Sequence, residues 1–141
     1  SFVPGGTRLT SLDSVLKKQE SILSEQVEVD VFEELTCKKA KNEVKSTIVA
    51  AKRLKGDPVK VFKALSSRGV SILVMDTEAL EEEVVEEAAS NGVILCELKN
   101  LPIELIGDRL YVRRSDIRSL VDKRRSMLTS AILKRLSDIA L

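Results

Sequence analysis

Between residues 69 and 98 the chain leaves few folds open. Val70-Ser71-Ile72-Leu73-Val74-Met75 is a short apolar run, the pattern of a strand buried on both faces of a parallel sheet. Asp76 and Thr77 stand where they can cap a helix over 78–91, whose acidic first turns suit the positive end of the helix dipole. Asn91-Gly92 stops that helix, and Val93-Ile94-Leu95-Cys96 supplies a second apolar strand. Strand, crossover helix and parallel strand make a βαβ unit, almost always right-handed. Ile72, Val74, Ile94 and Cys96 are therefore expected to be buried in adjacent strands.

The flanking segments extend this pattern. Residues 1–8, with Pro4-Gly5-Gly6, read as a flexible lead-in. A helix over about 10–26 carries Leu9, Leu12, Leu16 and Leu23 on a heptad seam. Residues 27–32 alternate polar and apolar as a strand does. Cys37, Ala40, Val44, Ile48, Ala51 and Leu54 recur at three- and four-residue intervals, which predicts one helix to Leu54 with its lysines outward. Gly56-Asp57-Pro58 breaks that helix, and Pro58 suits the first position of another, over 58–68. Gly107-Asp108, between two short apolar runs, predicts a β-hairpin. Ser115 is placed to cap a long terminal helix over 115–141. The expected fold class is α/β: a small, largely parallel sheet flanked by helices, with a C-terminal hairpin and the long terminal helix, in one domain over 1–141.

Composition narrows the chemistry. The chain of 141 residues has no histidine, which excludes Ser-His-Asp and Cys-His catalysis and most zinc sites. Aromatic residues are only 3%, too few for stacking along single-stranded nucleic acid. Cys37 and Cys96 are unclustered and read as thiols of a reducing, cytoplasmic setting. No apolar run approaches 18 residues, so no membrane-spanning helix is expected. No glycine-rich phosphate loop is present.

What remains is carboxylates, lysines and charge blocks. Val29-Asp30-Val31, followed by Glu34 and Cys37-Lys38, resembles the PD-(D/E)XK nuclease family in its RecB-like and Mrr-like branches. The likeness covers roughly residues 26–98 and is strongest in the order of elements. It implies Asp30 and Glu34 as ligands of Mg²⁺ and Lys38 as the catalytic lysine. A divalent-metal nuclease needs two or three acidic oxygens and a nearby cation. Thr36 stands where the acid of the family's E-x-K motif falls, and only seven residues separate Asp30 from Lys38. The resemblance therefore points to a nuclease-like core without catalysis, and no cofactor is expected.

Charge is distributed unevenly although the net charge is only +1. Residues 78–97 hold seven glutamates and no lysine or arginine, whereas residues 109–135 hold nine basic side chains against Asp116 and Asp122. Arg113, Arg114, Arg118, Lys123, Arg124 and Arg125 are the candidate nucleic-acid contacts, with Arg114, Arg118 and Arg125 on one side of the helix. The same block could instead dock on the glutamates of residues 81–87, in this chain or in a neighbour. The leucine seam and the stripe of Leu120, Met127, Ile132, Leu136 and Ile139 point to a homodimer. The expected function is a nucleic-acid-associated, self-associating domain. A module that binds only protein is the alternative, and a Mg²⁺-dependent nuclease comes third.

Overall fold

The computed structural model describes residues 24–125 and 136. The elements run β1 (Gln26–Leu35), α1 (Cys37–Asn42), β2 (Ile48–Leu54), α2 (Pro58–Ser67), β3 (Ile72–Met75), α3 (Glu82–Ser90), β4 (Ile94–Glu97), a single 3₁₀ turn (Leu98–Asn100), β5 (Glu104–Ile106), β6 (Arg109–Arg113) and α4 (Arg114–Arg124). The strands form one sheet in the order β4-β3-β2-β1-β6-β5. β1 to β4 are mutually parallel, and β6 runs antiparallel to both β1 and β5. The sheet is thus mixed rather than largely parallel. A hairpin folds back against the start of β1, with Gln26 opposite Arg113 and Glu28 opposite Tyr111.

The strand order explains the layering. β1, β2, β3 and β4 succeed one another across the sheet, so right-handed crossovers place α1, α2 and α3 on the same face. That face buries Val49, Ala51, Leu73 and Leu95 against Ala40, Phe62, Leu65 and Val85. The opposite face buries Val29, Ile48, Ile72, Val74, Ile94 and Cys96 under Ile117 and Leu120 of α4. Ile72 pairs with Ile94 and Val74 with Cys96, each at most 2% exposed, as the apolar runs require.

Three local expectations change. The helix expected to reach Leu54 stops at Asn42, and Ile48–Leu54 is a strand between β1 and β3. Ile48, Val49, Ala50 and Ala51 are buried on both faces, so they show no alternation and their spacing coincides with a helical one. α3 begins at Glu82, not 78, and neither Asp76 nor Thr77 caps it. Glu97 Oε1 accepts the Leu80 amide at 3.3 Å and Lys99 Nζ donates to the Glu78 carbonyl at 3.4 Å, which holds the preceding link extended. α4 starts one residue early, with Arg113 at its N-cap and no side-chain cap from Ser115. The hairpin forms as expected, and Gly107 takes the positive φ of 65° that a turn with its glycine first demands.

The leucine seam of residues 9–23 and most of the terminal helix lie outside the described residues. Leu120 and Leu136, two members of the second apolar stripe, are core residues at 2% and 1% exposure. That stripe is spent at least partly on the protein's own sheet.

Candidate nucleic-acid interface

Asp30 and Phe32 lie two apart on β1, and Phe32 packs against the helix-side core; Glu34 precedes Leu35, which is itself buried in that core. Asp30 and Glu34 are four residues apart, about 13 Å along an extended strand. Each carboxylate already has a structural task. Asp30 Oδ2 accepts the amides of Lys45 and Ser46 at 2.6 and 2.9 Å, which fixes the turn leading into β2. Glu34 Oε2 accepts from Arg53 Nε at 3.0 Å, and Lys55 lies 3.8 Å from its other oxygen. The Arg53 hydrogen bond, followed by the charges of Lys55, Arg53 and Lys39, holds the Glu34 carboxyl below its usual range despite some desolvation. Lys38 is exposed on α1. Lys38 lines a groove whose described lining includes neither carboxylate, and no three acidic or thiol groups among the described residues are placed to hold a metal ion. Asp30 and Glu34, each engaged by its own partners, do not fit a shared Mg²⁺.

The six basic residues of the C-terminal block run along α4 from Arg113 at its N-cap to Arg125 at its C-cap. At the start of α4, Arg113 is paired with Glu104 at 2.8 Å, and Arg114 is half-buried with its Nε donating to the Ser24 carbonyl at 3.0 Å. Arg118 lines the same cleft, together with Gln26 and the β5 strand. Lys123 and Arg124 lie ten residues beyond Arg113 and Arg114, about 15 Å along the helix, with Arg118 between them. Arg124 is half-buried, and its charge helps hold the Glu97 carboxyl below its usual range and opposes the rise that burial gives the Cys96 thiol. The basic residues are thus spread along the length of the helix, and Arg113 and Arg114 are already engaged by Glu104 and the Ser24 carbonyl. α4 covers the face opposite α3, so these arginines cannot pair with the glutamates of their own chain's α3.

A different basic surface emerges from the helical face. Lys38 and Lys41 lie three apart on α1, and Lys60 and Lys63 lie three apart on α2. The two pairs line one open groove of about 730 Å³, with Cys37, Asn42, Ala64 and Ser67 completing its walls. All four lysines are exposed, none forms an ion pair with a described carboxylate, and no acidic residue is among the described residues that line the groove. Other exposed cations nearby behave differently: Lys52 is bridged to Glu33, and Arg53 and Lys55 to Glu34. The sequence offered a signal in two lysine pairs at helical spacing. What it did not disclose was that the segment between them is a strand, which brings α1 and α2 side by side.

The described part of the chain contains no helix long and apolar enough to cross a membrane. No family model, curated protein or solved structure matches the chain.

Proposed function

We propose that the domain is a non-catalytic, nucleic-acid-associated module that holds a phosphate backbone in the groove between α1 and α2. One observation carries this reading: Lys38, Lys41, Lys60 and Lys63 are four cations on one concave surface that, among the described residues, pair with no carboxylate and have none in the lining. Lysine is a flexible point charge suited to phosphate contact without base readout. Duplex is the favoured form. Among the described aromatic residues, Phe62 is buried and Phe32 and Tyr111 are half-buried, which leaves no exposed ring on which single-stranded bases could stack.

The test is a salt titration of duplex oligonucleotide binding. With four phosphates neutralised, log affinity falls with log salt at a slope of up to about −3.6. Lys38→Glu, Lys41→Glu, Lys60→Glu and Lys63→Glu together abolish binding, and thermal stability changes little because all four side chains are exposed. No binding by the wild type at low salt overturns the reading. So does binding that survives the lysine changes and disappears with Arg113→Glu, Arg114→Glu and Arg118→Glu.

A further inference from the structure

The helical face that carries the lysine groove is electrically bipolar. α2 has α1 on one side and α3 on the other, because the helices follow the order of the strands they connect. On the α1 side stand Lys38, Lys41, Lys60 and Lys63. On the α3 side, Val85, Ala88 and Ala89 are buried against the sheet, which turns Glu83, Glu86 and Glu87 outward at helical spacing. These glutamates are exposed, and none forms an ion pair with a described residue. Among the described residues no ion pair joins the two halves within one chain.

Such a surface is complementary to itself. A two-fold axis lying along α2 superposes the groove of one copy on the α3 of the other, and does so twice in one closed interface. We propose that the α1–α2–α3 face pairs with the same face of a second copy of this chain, each lysine groove receiving the partner's Glu83, Glu86 and Glu87. The proposal uses the groove assigned above to nucleic acid, so the two occupants exclude one another and duplex dissociates the dimer. The net charge of +1 sets no long-range repulsion against this association.

Charge swapping in the full chain tests the arrangement, read by sedimentation at tens of micromolar. Wild-type protein is a dimer at roughly 50 mM salt and weakens by about tenfold or more at roughly 500 mM, as a contact between exposed charges must. Glu83→Lys, Glu86→Lys and Glu87→Lys in one variant, and Lys38→Glu, Lys41→Glu, Lys60→Glu and Lys63→Glu in another, each give monomers. Mixing the two variants restores a one-to-one dimer, since both contacts are then attractive again. The glutamate variant keeps duplex binding while it loses self-association. A wild type that is monomeric at low salt, a dimer indifferent to salt, or variants that fail to pair when mixed overturns the proposal. Duplex binding is read separately: its absence in a salt-sensitive wild-type dimer removes the nucleic-acid reading alone.

Discussion

Glu97 shows how much a single side chain can hold in this fold. It ends β4 with its side chain 14% exposed, and it accepts from the Leu80 amide and from Lys99, 3.1 Å away. The Lys99 hydrogen bond first, then the Leu80 amide and the charges of Lys99 and Arg124, hold its carboxyl below the usual glutamate value against the desolvation that would raise it. A depressed folded-state pKa means that the unfolded chain binds the proton more readily. The stabilisation is therefore complete above the ordinary glutamate pKa and is lost as pH falls through the lower folded value. Glu97→Gln is expected to flatten this acid limb in urea unfolding below about pH 4.5. An acid limb identical to that of the wild type would show that the latch contributes nothing. Its neighbour Cys96 points the other way: burial, the dominant cause, pushes its thiol up to about 12 with Glu97 adding and Arg124 opposing. Cys96 is a neutral core residue, as an apolar strand position implies.

At the scale of elements, β3 and β4 are short but carry much of the core. Ile72 is fully buried and Ile94 is 2% exposed, facing each other across a parallel pair and sealed by α4. Replacing either by alanine leaves a cavity between two layers that cannot close freely, and is expected to cost about 2–5 kcal/mol in denaturant unfolding. A loss below about 1 kcal/mol would mean that the layer above the strands yields easily. These strands were readable because a run buried on both faces is apolar throughout and is bounded by turn residues. β2 mimics a helix for a related reason. Ile48-Val49-Ala50-Ala51 is too short to reveal its period, and the preceding α1 lends it a helical phase. Distant residues secure the turn that separates the two: Asp30 takes the amides of Lys45 and Ser46, and Arg68 donates to the Val44 carbonyl.

Across the whole molecule, pairing density grades from centre to edge. β2 and β3 each have a parallel partner on both sides, whereas β5 is a three-residue edge strand with Leu105 70% exposed. Native-state hydrogen exchange should find Ile72–Met75 amides opening only with global unfolding and Glu104–Ile106 amides opening far more readily. Equal protection in both would show that the hairpin and the parallel strands unfold as one unit. The same whole-molecule view governs function. Charges separated in the chain at 38–41 and 60–63 form one groove, while charges adjacent in the chain at 113–125 are strung along the length of α4.

The α/β class, the βαβ unit over residues 69–98, the Pro58 helix start and the hairpin are all legible in the chain's local chemistry: continuous apolar runs, a residue that fixes φ, a glycine that tolerates positive φ. Only the tertiary structure decided that β6 joins β1 antiparallel and makes the sheet mixed, because strand pairing is a choice among distant partners that no local pattern encodes. It likewise decided the fate of the charged residues. Asp30 and Glu34 look like ligands in a line of sequence, but the backbone amides and arginine that occupy them arrive from β2 and the turn before it. Lys38 and Lys41 looked like an ordinary solvated face, and become half of a groove only because the intervening strand sets α2 beside α1.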